Sequence, residues 1–356
     1  MTPSAPGAPA AELHGGEMDC GSGLLLLLTR SIRRIEVGQV LLVHTSEPSV
    51  PPDLVDWARL AGHSIAESET VGPRSWRVSV VRGGTTVSVF TDGPETPVGE
   101  RLWLYSNFHC NLACSYCCAE SSPKTDPRLM SVQLAEQAAA EFTALGGREV
   151  MITGGEPFLH PEISGLVGAV AEHLPVTLLT NAMVMDRGRR REALELMDRT
   201  RVTLQVSLDS AGPALHDSQR GHASHAQALR GVELARQLGF TVKIAATLYD
   251  DAAGTARALH DLLDRLGIAP EHRLVRPVAA QGYAEHGQQV GLDTLAPEPT
   301  LTVDGVWWHP VAVTDPSMRV ADDPLPLHAA LDVVRDMLAV QDAAHQEGRR
   351  HVFRCA

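Results

Sequence analysis

The chain has 356 residues, of which 44% are hydrophobic and 21% are charged, enough for a medium domain and a smaller one with cores of their own. Its formal net charge of −13 argues against a nucleic-acid partner, because non-specific binding to phosphates needs an excess of Lys and Arg. The longest uninterrupted apolar run, Leu24–Leu28, is far shorter than the roughly 20 residues that cross a bilayer, and no secretory signal opens the chain. We therefore expect a cytoplasmic protein without a membrane partner.

Residues 1–14 are rich in Ala and Pro, which predicts a disordered N-terminus. Residues 15–91 show the alternation of a small two-layer α/β domain. Its predicted elements are a helix at Leu24–Ile35, a strand at Val40–His44, a helix at Pro52–Leu60, and a hairpin of Trp76–Val81 with Thr86–Phe90 around Gly83–Gly84. The acidic, Pro-rich and Gly-rich residues 92–100 are predicted to be a linker.

Residues 101–280 repeat one unit, a short apolar strand followed by a loop and an amphipathic helix. The predicted strands are Leu102–Tyr105, Val150–Thr153, Val176–Leu179, Val202–Leu208, Val242–Thr247 and Leu274–Val278. Predicted helices at Ser131–Leu145, Gln227–Leu238 and Ala256–Leu266 each stop at a glycine. The alternation predicts parallel strands with right-handed crossovers, hence a partial (β/α)6 TIM-like barrel in an α/β fold. Chemistry in such folds gathers at the carboxyl ends of the strands.

Residues 281–356 form a Pro-rich and then helical zone, with a predicted helix at Leu327–Gln341. We expect this zone to be a C-terminal extension of the barrel.

The six cysteines are unevenly placed, with four of them between Cys110 and Cys118. Clustered cysteines in a cytosolic chain favour metal binding over disulfides. Cys110, Cys114 and Cys117 have C-x3-C-x2-C spacing in the loop after the first barrel strand, and three such thiolates can hold a 4Fe–4S cluster whose fourth iron has no protein ligand. The spacing alone leaves open an electron-transfer cluster, or a zinc site with His109 or Cys118 as fourth ligand.

Further motifs follow the next strands in a fixed order. They are Tyr116 directly before Cys117, Gly154-Gly155-Glu156-Pro157, Thr180-Asn181, Ser207-Leu208-Asp209 and His216-Asp217-x-x-Arg220-Gly221. Together with the cysteines, these residues resemble the radical S-adenosylmethionine (SAM) superfamily with a MoaA/SPASM-like core, over Leu102–Val278.

The resemblance implies two cofactors, one 4Fe–4S cluster on the three cysteines and SAM. It implies that the Gly154–Pro157 turn with Glu156 holds the amino group of SAM, that Ser207 and Asp209 lie near the ribose, and that Arg220 binds the methionine carboxylate. Tyr116, Thr180 and Asn181 are further expected SAM-binding residues. Arginine pairs bidentately with carboxylates, and glycine lets backbone approach a ligand.

The implied reaction is reductive cleavage of SAM to a 5′-deoxyadenosyl radical, which abstracts hydrogen from a substrate. A one-electron reductant of the flavodoxin or ferredoxin type is the implied partner.

A second resemblance covers the first zone. The segments that carry it are Met18–Gly23, Val37–Val43, Pro52–Trp57 and Ala61–His63, which resemble the TusA-like sulfur-carrier fold. The resemblance implies that Cys20 is a catalytic thiol, and a helix N-terminus favours its thiolate. That family has proline after the cysteine, whereas Cys20 is followed by Gly21, so the carrier function stays open.

The segment Leu301–Pro310 is similar to the β-hairpin that opens the cluster-binding SPASM/twitch extension of related enzymes. The cysteines of that extension are missing here, so we expect it to be degenerate and without a second cluster.

Three functions fit these observations. The first is sulfur transfer from the fused carrier domain, with a sulfur-donor protein as partner. The second is radical modification of a peptide or a small natural product, with the first zone as a docking module. The third is a non-catalytic Fe–S protein for interaction or sensing.

Overall fold

The computed structural model describes residues 9–16, 18, 24–32, 34–60, 63–72, 74–83, 99–249, 253–292 and 294–345. The chain divides into two units, Met1–Ser88 and Val89–Ala356. Cys20, the predicted strand Thr86–Phe90 and most of the predicted linker lie outside the described residues. No helix among the described residues has both the length and the apolar character needed to cross a membrane.

The first unit is one four-stranded sheet with two helices. Its elements are β1 (Ala11–Gly16), α1 (Leu25–Ile32), β2 (Val40–Thr45), α2 (Val50–Leu60), β3 (Ser64–Gly72) and β4 (Ser75–Val81). The strand order is β1-β2-β4-β3, with β1 and β2 parallel and the other pairs antiparallel. Both helices contribute to one apolar core with β2 and β4, including Leu28, Leu54, Val43 and Val78, so this unit has the predicted two layers.

One prediction for this unit needs correction. Residues 11–14 were expected to be disordered, but Ala11–Gly16 is a strand parallel to β2, because Ala11 and Leu13 pack against the core. Among the described residues, β4 pairs with β2 and with β3, a strand that was not predicted; the predicted partner Thr86–Phe90 lies outside them. Most of β3 is exposed, so its sequence has no apolar alternation to reveal it.

The second unit is built on one nine-stranded sheet. Its elements are β5 (Arg101–Tyr105), α3 (Val132–Ala144), β6 (Glu149–Thr153), α4 (Ile163–His173), β7 (Val176–Thr180), α5 (Gly188–Leu196), β8 (Val202–Ser207), α6 (Pro213–Arg220), α7 (Ser224–Gln237), β9 (Thr241–Leu248), α8 (Ala253–Arg265), β10 (Arg273–Pro277), β11 (Thr300–Thr302), β12 (Gly305–Trp307), β13 (Arg319–Ala321) and α9 (Leu327–His345).

Strands β5 to β10 are parallel and adjacent in chain order, as the sequence predicted. The sheet does not close, because β10 stands at one end of the strand order and β13 at the other. Strand β5 is buried throughout, as is typical of parallel strands covered on both faces. The strand–helix alternation therefore brings the loops after β5, β6, β7 and β8 to one edge of the sheet.

Local signals fix where the helices begin and end. The Ser131 hydroxyl accepts a hydrogen bond from the Leu134 N–H at 3.1 Å, which caps α3. Gly146, with φ of +91°, follows the end of the same helix.

The zone predicted as a C-terminal extension continues the same sheet. Strand β11 is parallel to β5, with Thr300 opposite Trp103, and it forms a hairpin with β12, within the segment where the sequence predicted one. The Pro310–Ala312 turn after this hairpin is buried. The extension thus reaches the edge of the sheet where the β5 loop begins.

Candidate functional site

A cavity of about 160 Å³, open to solvent, lies at the carboxyl ends of the parallel strands. Ten of the predicted site residues line it: Cys110, Cys114, Tyr116, Cys117, Gly154, Gly155, Thr180, Asn181, Ser207 and Arg220. They come from the ends of strands β7 and β8, from the loops after β5, β6 and β7, and, for Arg220, from the end of α6. The fold therefore brings together motifs that are more than 100 residues apart in the sequence.

Three predicted residues stand behind the cavity wall. Glu156 and Asp209 are fully buried, Pro157 is buried at the start of a short 3-10 helix, and none of them lines the cavity. The predicted thiol Cys20 is outside the described residues, so the structure does not place it relative to this site.

The cysteine loop is held by backbone hydrogen bonds, and two of its sulfurs accept N–H groups. The Leu112 N–H donates to the Cys110 Sγ at 3.4 Å, and the Ser121 N–H donates to the Cys117 Sγ at 3.3 Å. The Asn181 side-chain amide lies 3.8 Å from the Cys110 Sγ. Hydrogen bonds of this kind stabilise thiolate sulfur and tune iron–sulfur clusters.

Burial keeps the Cys110 and Cys114 thiols neutral when no metal is bound. It raises the pKa of the Cys110 thiol far above its ordinary value, with Glu156 adding to the effect. Burial also raises the pKa of Cys114 to about 11, although the Arg220 guanidinium opposes the rise. A metal must therefore displace the protons as it binds, as it does at cysteine sites in general.

The glycine turn after β6 packs directly on the cysteine loop. A Cβ on Gly155 would lie 2.2 Å from the His109 carbonyl oxygen, and a Cβ on Gly154 would lie 2.4 Å from that of Asn107. Gly154 also has φ of +152°, in the region that favours glycine. Only bare backbone fits between β6 and the cysteine loop, and that backbone lines the cavity.

Glu156 ties the ends of β6 and β7 together. Its carboxylate accepts the Phe158 N–H at 3.1 Å, the Thr180 hydroxyl at 2.8 Å and the Asn181 N–H at 2.8 Å. Burial raises its pKa, although these hydrogen bonds oppose the rise. The bonds fix Thr180 and Asn181 at the cavity wall, and they leave one of about four acceptor positions of the carboxylate unused.

Asp209 is the centre of a buried charged network. Its carboxylate accepts the Arg220 Nε at 2.6 Å and Nη2 at 3.2 Å, the Thr247 N–H at 3.1 Å, and the Tyr116 hydroxyl. Burial acts to raise its pKa, but the Arg220 charge together with the hydrogen bonds from Arg220 and Tyr116 and the nearby His216 lowers the net pKa. The network joins the cysteine loop to β8, α6 and β9, and it orients the two side chains, Tyr116 and Arg220, that line the cavity.

His216 supports this network as a neutral ring. Its Nδ1 accepts the Asp209 N–H at 3.1 Å. Burial, with a further contribution from Arg220, lowers its pKa to about 4. The His216–Gly221 motif is thus a scaffold that carries Arg220 to the cavity on α6.

Several residues of the cavity were not predicted from the sequence. Thr247 lies near the end of β9 and Arg276 near the end of β10, while Trp103, Tyr105 and Val311 form an apolar part of the wall. The Arg276 Nε donates to the Thr247 hydroxyl at 3.2 Å. Thr247 and Arg276 could have been found from sequence, because each is a polar residue near the carboxyl end of one of the last two parallel strands. Val311 had no signal, because its position depends on where the C-terminal zone folds back.

The donor set fits an iron–sulfur cluster. Cys110, Cys114 and Cys117 line one cavity, and three cysteine thiolates can hold a 4Fe–4S cluster whose fourth iron has no protein ligand.

This segment is similar to known proteins. Residues 105–251 match the sequence profile of the Radical SAM superfamily. The chain is 28% identical over 206 residues to the antilisterial bacteriocin subtilosin biosynthesis protein AlbA of Bacillus subtilis (strain 168), covering 56% of this chain and 43% of that protein. It is 36% identical over 156 residues to the mycofactocin maturase MftC of Mycolicibacterium smegmatis (strain ATCC 700084 / mc(2)155), and the match covers 44% of this chain and 38% of that protein.

The fold has counterparts among solved structures. The structure of anSMEcpe with bound AdoMet and Cp18Cys peptide superposes with a TM-score of 0.52 and 12% identity, covering 69% of this chain and 84% of that chain. At this identity the likeness concerns the fold alone. The chain spans about half or less of the length of the curated relatives it matches.

Proposed function

We propose that this chain is an enzyme that cleaves SAM reductively and modifies a substrate by radical chemistry. Residues 105–251 match the Radical SAM superfamily, whose cofactors are a 4Fe–4S cluster and SAM. The observation that carries the proposal is the convergence of three cysteines, the Gly154–Gly155 turn and Arg220 on one cavity. When bound, the cluster and SAM supply a 5′-deoxyadenosyl radical that abstracts hydrogen from the substrate.

In this proposal, different parts of the cavity wall bind the cluster and the different groups of SAM. Cys110, Cys114 and Cys117 would hold the cluster and leave it one iron without a protein ligand. The backbone of Gly154 and Gly155 would approach SAM where no side chain intervenes. Glu156 stands behind this wall and holds Thr180 and Asn181 at the cavity, so it acts as a positioning residue for the SAM-binding groups.

The opposite wall binds the rest of SAM. Arg220 offers guanidinium N–H groups beyond those it donates to Asp209, and these pair with the methionine carboxylate. Ser207, with Asn181 and Thr180, lines the cavity where the ribose is expected. Asp209 and Tyr116 hold Arg220 in place, so they are positioning residues for the carboxylate.

The test of this activity is the release of 5′-deoxyadenosine from SAM by the anaerobically reconstituted chain in the presence of dithionite. A non-catalytic Fe–S protein would assemble the cluster and leave SAM intact under the same conditions.

For the substrate we favour a peptide or peptide-derived product. The relatives named for subtilosin biosynthesis and mycofactocin maturation, together with the apolar wall of Trp103, Tyr105 and Val311 beside the SAM-binding residues, support this class. A one-electron donor of the flavodoxin or ferredoxin type completes the reaction. The clustered, free cysteines of the present chain suit an enzyme of the cytoplasm.

A second function, sulfur transfer, rests on the first unit. The two-layer sheet with two helices agrees with the TusA-like resemblance, and Cys20 precedes α1 in the sequence. If Cys20 is a carrier thiol, a sulfur-donor protein should load it with a persulfide. In the peptide proposal the same unit is a docking module instead.

The variant Cys20→Ala separates these two functions. If the first unit is a sulfur carrier, incubation with cysteine and a cysteine desulfurase, whose own persulfide passes its outer sulfur to the acceptor thiol and leaves as a thiolate, should give a persulfide on the wild type. Intact-mass spectrometry should show that the variant lacks this persulfide, while SAM cleavage is unchanged. Cys118→Ala is the matched control because it removes a thiol of the other unit. Equal persulfide labelling of wild type and Cys20→Ala would exclude the carrier function.

A further inference from the structure

The first unit carries three metal-ligating side chains on the face of its sheet that the helices leave uncovered. On β1, Ala11 and Leu13 pack against the core, so the alternating residues Glu12 and His14 point to the opposite face. Both are exposed. On the neighbouring parallel strand β2, His44 stands directly opposite His14 in the register.

These three side chains are within coordination distance of one another. The His44 Nε2 lies 3.2 Å and the His14 Nε2 lies 3.7 Å from the same carboxylate oxygen, Glu12 Oε2. The two imidazole rings stack with centroids 4.4 Å apart and planes 16° apart. Among the described residues, this is the group of three or more His, Cys, Asp or Glu side chains whose ligand atoms all lie within 4.8 Å.

We propose that Glu12, His14 and His44 bind one divalent transition-metal ion, with Zn²⁺ as the fitting ion. Bonds of about 2.0–2.2 Å to imidazole nitrogen and carboxylate oxygen place tetrahedral ligand atoms about 3.3–3.5 Å apart, close to the two distances in the structure. Two imidazoles and one carboxylate favour zinc and its neighbours over Mg²⁺ and Ca²⁺, which prefer all-oxygen sites. The fourth position would be taken by water.

The site can adjust to an ion at little cost. The His14 side chain is 73% exposed, so its stacked ring can turn until both Nε2 atoms converge on the metal. Next along the face, Arg77 on β4 is opposite His44, and its guanidinium is bound to Glu69 at 2.8 Å. Because Arg77 is already neutralised by Glu69, the charge of Glu12 is available to the ion.

The ion would act as a clamp on an edge strand. Within the described part of the chain, β1 is an edge strand whose neighbour is β2, and the ligands come from both strands. A metal ion that binds the folded state and not the unfolded state stabilises the folded state by mass action. Loaded metal should therefore raise the unfolding temperature of the first unit without any part in the chemistry of the cavity.

The experiment measures zinc on the full-length chain with its 4Fe–4S cluster assembled, so that the cluster thiols are occupied. The protein is dialysed against micromolar Zn²⁺ under anaerobic conditions, and zinc and iron are counted by elemental analysis. The variants are His14→Ala, His44→Ala and Glu12→Gln, and the control is His328→Ala, which removes an exposed histidine of the other unit. X-ray absorption at the zinc edge reports whether the ligands are nitrogen and oxygen or sulfur.

We expect one zinc per chain in the wild type and in His328→Ala, with nitrogen and oxygen ligands, and at least a tenfold loss of affinity in each site variant. Because His14 is mostly exposed, His14→Ala keeps the fold and its loss of zinc cannot be ascribed to unfolding. Zinc that persists in the site variants, zinc bound by sulfur, or no zinc in the folded wild type would overturn the proposal.

Discussion

Replacing Cys114 with alanine should leave the anaerobically reconstituted chain with almost no bound iron and sulfide and without iron–sulfur absorbance in the visible range. Three thiolates are the whole protein ligand set of the proposed cluster, and Cys114 stands between the other two in the loop after β5. Losing one of three ligands leaves a second iron without protein ligation, so the cluster should not persist. The measurement is iron and sulfide content per chain, with the visible spectrum.

Cys118→Ala is the matched control for this loss. Cys118 lines the same cavity, and burial raises its pKa to about 12, yet it lies outside the C-x3-C-x2-C triplet. The control should retain full iron and sulfide. A cluster that survives in Cys114→Ala and fails in Cys118→Ala would show that the ligand set has been assigned to the wrong cysteines.

Replacing Asp209 with asparagine should destabilise the second unit by about 3–5 kcal/mol, the range for removing one partner of a buried ion pair. The loss is large because Arg220, only 9% exposed, would keep its charge without the carboxylate, and Tyr116 would lose its acceptor. Guanidinium unfolding, with the wild type alongside, measures the difference. SAM affinity should fall as well, because Asp209 holds Arg220 at the cavity.

Two further variants test whether the buried charge is the cause. Asp332→Asn removes an ion pair of similar length, 2.7 Å to Arg335, but with both side chains more than half exposed, so it should cost about 1 kcal/mol or less. In Asp209→Asn/Arg220→Met no buried charge is left unpaired, and part of the stability should return. Equal costs for Asp209→Asn and Asp332→Asn would contradict the buried network.

The pH dependence of the same pair has a definite sign. Because Arg220 lowers the pKa of Asp209 below its ordinary value, the carboxylate stabilises the fold at and above that ordinary value. This stability is lost as the pH falls through the lower pKa of the folded state. The difference between wild type and Asp209→Asn should therefore shrink only in acid below about pH 4.

The convergence of the candidate site residues on one cavity was readable from sequence because most of their motifs end a strand or directly follow one. Cysteine spacing, the Gly154–Gly155 pair and the polar residues after β7 and β8 are local signals, and parallel strands bring their carboxyl ends to one edge whatever the loops contain. The roles of Glu156 and Asp209 were not readable in this way. Their hydrogen bonds join residues of different strands, which no single motif contains.

The missed features depend on long-range pairing. The strand character of Ala11–Gly16 comes from β2, its parallel neighbour, and its alternation was hidden in an Ala- and Pro-rich context. His14 and His44 are 30 residues apart and become neighbours only in that register, so the zinc site could not be proposed without the fold. Strand β3 lacks buried residues and therefore lacks a periodic signal.

The central claim is that the cavity binds a cluster and SAM and cleaves SAM by one electron. The most direct measurement is 5′-deoxyadenosine by mass spectrometry, after anaerobic incubation of the reconstituted chain with SAM and dithionite, beside Cys114→Ala and a sample without reductant. We expect 5′-deoxyadenosine and methionine in equal amounts from the wild type alone. A wild-type chain that holds a full cluster but leaves SAM intact, with candidate peptides present or absent, would contradict the claim.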